Sequence, residues 1–186
     1  MTFLNHSSLS ALGFKHVGVG VKISDKAVFY DAHEISIGDY SRVDDFSILS
    51  GKIELGRNVH IAVQCNLAGG ELGIKIEDFA GLAYGCQVFS QSDDYSGKSL
   101  TNPTVPDEYK NEIKLKISIG KHAILGTHTI VLPGVEIGEG CSFSARSLVI
   151  NSTIPWGFYA GSPVKRIKDR DKTCLALERE YINRFG

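Results

Sequence analysis

Side chains that could move a proton or hold a phosphate are few in this chain and unevenly placed. It has six histidines, and His60, His122 and His128 fall in its regular part. An unperturbed imidazole titrates near about 6.5, which suits a general base at neutral pH. Asp93 and Asp94 stand together at the start of a polar segment, where a carboxylate, from the same or a neighbouring copy, can orient a histidine and stabilise its protonated form. An aspartate at its ordinary value of about 3.9 is itself a poor base toward a hydroxyl. Lys165, Arg166 and Lys168 follow a Gly161-Ser162-Pro163 turn, a basic tip suited to phosphate because charge-assisted contacts to it are strong. Tyr84, Tyr95 and Asn102 offer the aromatic and amide groups that suit a sugar. The four cysteines, Cys65, Cys86, Cys141 and Cys174, form no Cys-x-x-Cys pair, which argues against a zinc ribbon or redox motif.

The element that must position these groups is written in a six-residue beat. Aliphatic residues recur at Ile37, Val43, Leu49, Leu55, Ile61 and Leu67, then at Ile76, Leu82 and Val88. After a gap they resume at Ile119, Leu125, Val131, Ile137, Phe143 and Val149. The fifth place of most units is small, as at Ser41, Cys65, Ala80, Ala123 and Cys141. Neither the 3.6 period of a helix nor the alternation of an isolated strand gives a period of six. A chain that makes one short strand, turns a corner and repeats does, and three such faces close a triangular coil. Stacking at about 4.8 Å then supplies a contiguous all-β core. Fifteen units at three per coil predict about five coils, and Ile23 with Ala27 begins an additional unit. Gly38, Gly56, Gly120, Gly126 and Gly138 follow aliphatic residues and are expected at corners that need unusual backbone angles.

Three regions follow from this pattern. Residues 1–34 are a cap and lead-in segment, with a short helix begun by Ser7 or Ser8 and Leu9, Leu12 and Phe14 facing the prism. Residues 35–155 carry the coils, interrupted by a small bulge near Gly69-Gly70 and by a loop over 92–116 that contains Pro103 and Pro106. Loops of that length are uncommon and often functional. Residues 156–186 form a tail, with a helix expected over 169–184 that buries part of Leu175, Leu177, Tyr181 and Ile182 and caps the last coil. A net charge of −1 argues against a nucleic-acid surface. No apolar run approaches the ~20 residues of a membrane span, and the first residues lack a secretory pattern, so membrane insertion is not expected and the protein reads as cytoplasmic.

The beat, the loop and the stretches IGKHAILGTHTIVLPGVEIGEG, SDDYSG with TNPTVP, and YAGSPVKRIKDRDK together resemble the bacterial hexapeptide-repeat acyltransferases, and among them the galactoside and maltose O-acetyltransferases. The resemblance covers nearly all the chain from about residue 35. It implies a left-handed parallel β-helix (β-solenoid) with a short N-terminal cap, a protruding loop and a C-terminal helix. It implies a homotrimer that binds acetyl-CoA between neighbouring prisms, with the acceptor meeting the thioester near the base of the loop. In those relatives a histidine begins the loop; here that position is Asp93, with Asp94 beside it. His60 falls where the relatives line the acceptor pocket and becomes the expected base, oriented by Asp93 or Asp94, with His122 as second choice. Gly126 and Thr127 match positions near the acetyl group, Ser144 and Ala145 positions along the pantetheine arm, and Lys165 and Arg166 positions that meet the phosphates. Tyr84, Tyr95 and Asn102 are expected in the acceptor pocket.

The function that this resemblance implies is acetyl-CoA-dependent O-acetylation of a sugar hydroxyl in a polysaccharide, lipopolysaccharide or glycan precursor. The alternatives are N-acetylation of a nucleotide-linked amino sugar and a non-catalytic scaffold. The zinc carbonic anhydrases of the same fold place two ligands five residues apart, whereas His122 and His128 are six apart on different faces, so no metal is expected.

Overall fold

The computed structural model describes residues 1–185. Strands of two or three residues stack into three parallel sheets, and each is the face of a prism. The first face holds His16–Val17, Ile35–Ile37, Ile53–Leu55, Ile74–Ile76, Ile117–Ile119 and Glu136–Ile137. The second holds Lys22–Ile23, Arg42–Val43, His60–Ile61, Gly81–Leu82, Ile124–Leu125, Ser142–Phe143 and Gly157–Gly161, closed by the antiparallel strand Val164–Asp169. The third holds Val28–Tyr30, Ile48–Ser50, Asn66–Ala68, Gln87–Phe89, Ile130–Val131 and Leu148–Val149. The column therefore has about seven turns rather than five. Its first coil is residues 16–30, in register with the second; the lead-in segment is already solenoid, set apart in the sequence by the eight-residue step from Phe29 to Ile37 that interrupts the beat.

Every aliphatic residue of the beat is buried, as are the small partners Ser41, Ser47, Cys65, Ala80, Cys86, Ala123, Thr129, Cys141 and Ser147. Burying one large aliphatic side chain contributes about 1.5–3 kcal/mol, so the stack carries the stability of the molecule. Ser41 and Ser47 satisfy their hydroxyls on Gly56 and Ala62 carbonyls at 2.7 and 2.8 Å. A hydrogen bond with Cys86, together with burial, pushes the Cys65 thiol well above its ordinary value, as befits a core residue.

The corner glycines hold a different place from the one expected. Gly38, Gly56, Gly120, Gly126 and Gly138 do not adopt positive φ. They are required by space, since a Cβ there would lie 2.3–2.9 Å from atoms of the adjoining turn. The left-handed residue is the one two places later, at Tyr40, Phe46, Asn58, Gln64, Phe79, His122, His128, Arg146 and Trp156. A non-glycine residue there costs roughly 1–2 kcal/mol, offset by the coil bonds it permits.

The ends also differ in detail from expectation. Helix α1 (His6–Ala11) is capped by Asn5, whose side chain accepts from the Ser8 amide, not by a serine. Leu9 and Phe14 pack on the core, whereas Leu12 is exposed. Helix α2 (Cys174–Phe185) starts five residues later than expected and does not cover the last coil. It lies along the corner between the first and second faces, with Tyr181 on Asn58 and Phe79 and Glu178 on His122. Leu175, Tyr181 and Ile182 are half-buried and Leu177 faces solvent. The bulge and the loop are joined: Lys114 pairs with Glu71 at 3.0 Å, and the Ile117 amide donates to the Gly73 carbonyl at 3.1 Å.

Candidate functional site

The loop leaves the third face through a two-stranded neck, Gln91–Ser92 against Ile113–Lys114. Two aspartates organise its first turn. Asp94 accepts from the Ser96 amide (2.8 Å), the Ser96 hydroxyl (2.9 Å) and the Ser99 hydroxyl (3.0 Å). The Ser96 amide and these hydroxyls hold its carboxyl below the usual range. The Asp93 carboxylate accepts only the Asn102 amide, at 3.2 Å through Oδ1, leaving Oδ2 without a partner among the described residues. Asn102 turns its own carbonyl oxygen onto Thr104, and Tyr95 is exposed. Asp93, Asp94, Tyr95 and Asn102 thus share one loop turn. Tyr84 does not join them; it lies at the other end of the third face, on the corner with the second.

His60 is not brought to Asp93 or Asp94 within one chain. It sits on the second face, one turn below the loop, and its carboxylate partner is Asp44. Asp44 Oδ2 lies 2.9 Å from His60 Nε2, and Oδ1 accepts Arg42 Nε at 2.6 Å. Asp44 is buried while both partners remain about half exposed. This triplet escaped the sequence reading because its members belong to successive coils. The signal was present in the six-residue register, which stacks Arg42 on His60.

His122 is removed from the candidate bases. Its ring is buried under α2, stacked on Phe79 at 5.3 Å, with Nε2 2.7 Å from Glu178. Lys121 also pairs with Glu178. Burial pushes the Glu178 carboxyl up, but hydrogen bonds from Lys121 and His122 outweigh it and hold the group below its ordinary value. These contacts dock the helix.

Gly126, Thr127, Ser144 and Ala145 do come together. They form two stacked corners between the second and third faces, where a Cβ on Gly126 would lie 2.7 Å from the Ala145 nitrogen. The Arg146 amide donates to the Thr127 carbonyl at 2.7 Å. Among the described residues the amides of Thr127 and Ala145 have no acceptor, so both are available to an oxygen from outside the chain. Beside them lies a cavity lined by His128, Ile130, Arg146, Ser147, Leu148 and Ser162, of which only the general neighbourhood was foreseen. Lys165 and Arg166 lie on the closing strand just above. Lys165 has no ion-pair partner among the described residues, whereas Arg166 pairs with Asp169 at 2.9 Å. Among the described residues no three His, Cys, Asp or Glu side chains are grouped to hold a metal ion, and no helix is long and apolar enough to cross a membrane.

No protein-family model matches the chain. It is 40% identical over 184 residues to a dTDP-4-amino-4,6-dideoxy-D-glucose acyltransferase from Escherichia coli, spanning 97% of this chain and 95% of that one. AntD, an N-acyltransferase from Bacillus cereus, superposes with a TM-score of 0.96 at 43% identity, covering 98% of each chain, in a variant complexed with dTDP-4-amino-4,6-dideoxyglucose and coenzyme A. Another AntD complex holds dTDP and 3-hydroxybutyryl-CoA. A hexapeptide-repeat acetyltransferase from Vibrio cholerae, complexed with acetyl coenzyme A, shares the fold alone, at TM-score 0.61 and 17% identity over 91% of this chain and 80% of that one. The column is the left-handed β-helix of these acyltransferases. The expected O-acetylation of a sugar hydroxyl is overturned by these matches, whose full-length relatives acylate an amino sugar.

Proposed function

The chain belongs to the hexapeptide-repeat acyltransferases, and we propose that it moves an acyl group from a CoA thioester to the amino group of a dTDP-linked 4-amino-4,6-dideoxy sugar. End-to-end likeness to the E. coli and B. cereus enzymes is the observation that carries this reading. A CoA thioester and a nucleotide sugar as substrates place the reaction in the cytoplasm.

The residues fit the chemistry of an amine. Its lone pair attacks the thioester carbonyl without prior removal of a proton, provided the amine is neutral. Once the C–N bond forms, the nitrogen becomes strongly acidic, so a carboxylate of ordinary basicity suffices to accept its proton. Asp93, with one free carboxylate oxygen, is that acceptor; Asp94 is the residue that shapes the loop. The proton passes to the departing CoA sulfur as the C–S bond breaks, giving an amide and free CoA. The amides of Thr127 and Ala145 supply fixed donors for the thioester end of CoA, and preorganised donors act without reorganisation cost. Arg146 and Lys165 supply charge for its phosphates. Because the loop and the open corner belong to different edges of one prism, the reading includes a homotrimer in which one copy's loop faces its neighbour's corner.

The test is turnover of the purified protein with acetyl-CoA or 3-hydroxybutyryl-CoA and dTDP-4-amino-4,6-dideoxyglucose. Release of one CoA thiol per product, with the acyl group in a hydroxylamine-resistant amide, is expected. Turnover confined to hydroxyl-bearing acceptors, or none with the amine, would sink the reading.

A further inference from the structure

We infer that the column Lys22–Arg42–His60 on the second face is an anion subsite that holds the diphosphate of the acceptor; this rests on the nucleotide-linked acceptor proposed above. Lys22 pairs in register with Arg42, and Arg42 with His60. Strand spacing puts them on successive rungs about 4.8 Å apart, all facing outward. Like charges directly opposite in a sheet are destabilising. This column has one carboxylate for its three basic side chains, the buried Asp44. The neighbouring Asp45 is engaged by Ser24 and Lys26.

The way Asp44 binds its partners leaves Arg42 Nη1 and the outer edge of the His60 ring free. It takes Arg42 through Nε and His60 through Nε2, so the terminal guanidinium nitrogens and His60 Nδ1 point away from it. The guanidinium is further fixed by lying 5.2 Å over the Phe3 ring, with Nη2 3.3 Å from the Met1 sulfur. A buried carboxylate thus aims the half-exposed Arg42 guanidinium at solvent, with His60 Nδ1 beside it as a second donor when the ring is protonated, the arrangement a fixed anion site needs.

The next rung carries Gly81, paired with His60 below and Ile124 above. The glycines of the packed corners are jammed against neighbouring backbone, whereas a Cβ on Gly81 would meet nothing within 4 Å. Packing therefore does not explain this glycine; in a strand interior such a residue marks a place where another group comes close. This bare position is a notch one rung above His60 and one rung below Ile124, which precedes Gly126 by two residues. A diphosphate on Arg42 and His60 would place the attached sugar in the notch and its amine toward the thioester.

Calorimetry of dTDP binding to the full chain tests this, with thymidine and CoA as controls. Arg42→Gln and His60→Gln should each weaken dTDP about tenfold, the loss of one charge-assisted hydrogen bond, with CoA affinity and melting temperature unchanged. Thymidine, which lacks phosphate, should bind all variants alike. The exposed Lys22→Gln should weaken dTDP less and flatten its salt dependence. Wild-type dTDP affinity in both Arg42→Gln and His60→Gln would overturn the subsite while leaving the acceptor reading intact. A wild-type protein that binds CoA but not dTDP would overturn both.

Discussion

Two corners of the prism are built from one repeat and put to different uses. On the corner between the first and second faces, the backbone amides are closed by acidic side chains: Val19 donates to Asp39 (2.8 Å), Arg57 to Asp78 (2.9 Å) and Lys121 to Glu77 (3.3 Å). Helix α2 then covers the left-handed residues Asn58, Phe79 and His122. On the corner between the second and third faces, Thr127 and Ala145 keep their amides open among the described residues, and His128 and Arg146 border a cavity. The coil makes equivalent positions by translation; what lies over them decides whether they are structure or site. His60 and His122 teach the same lesson. Both meet a carboxylate, but one remains half exposed and the other is sealed beneath a helix.

The contrast breaks most sharply at the loop that we propose faces a neighbouring copy's open corner. Asp93→Asn should lower the turnover rate by about 10²–10⁴-fold, the range for loss of a positioned proton acceptor, with the dissociation constant for CoA unchanged. A rate within a few-fold of wild type would take Asp93 out of the chemistry. Next in size is Ala145→Pro, which deletes one open amide while leaving the side-chain surface nearly as it was. Turnover with acyl-CoA should fall about tenfold or more; the same exchange tests whether the amide or only the shape of the corner matters, since Ala145→Ser should be silent.

The covered corner sharpens the comparison through stability. Glu178→Gln should cost about 1–3 kcal/mol, seen as a melting temperature lower by several degrees, with activity at 25 °C kept. The wild-type contact also has a pH signature. Glu178 is depressed from its ordinary value of 4.5, so its stabilisation is fully present above that value and is lost as pH falls through the folded-state value. Melting curves of wild type and Glu178→Gln should converge as the pH drops below about 4.3. Curves that stay parallel would mean that the helix is held by its apolar contacts alone.

The column itself was legible in the sequence because its stabilising interaction is periodic: Ile37, Val43 and Leu49 recur once per strand and all are buried. The first coil was foreseen only at Ile23 and Ala27: Val17, Ile23 and Phe29 keep the six-residue spacing, but the step of eight from Phe29 to Ile37 breaks the beat, and pairing with Ile37, Val43 and Leu49 reveals the whole turn. The cofactor-end candidates Gly126, Thr127, Ser144 and Ala145 converge because they fill two adjacent register positions on successive coils. His60 with Asp93 and Asp94 did not, because contacts between faces are not encoded by the beat. Asp44 and Glu178 were overlooked as ordinary charged residues; their burial depends on partners 16 and 56 positions away. The choice of a hydroxyl acceptor rested on the likeness to the galactoside and maltose enzymes, and it was the likeness over the whole chain to amino-sugar acyltransferases that corrected it.

The closing strand has a consequence for self-association. Val164–Asp169 runs antiparallel to Gly157–Gly161, and so reverses polarity at the C-terminal end of the second face. Open-ended strand stacks grow into fibres when a like edge meets them. Here an incoming copy would meet a backward-running edge carrying Lys165, Arg166 and Lys168, so the second face cannot be extended by a further parallel rung.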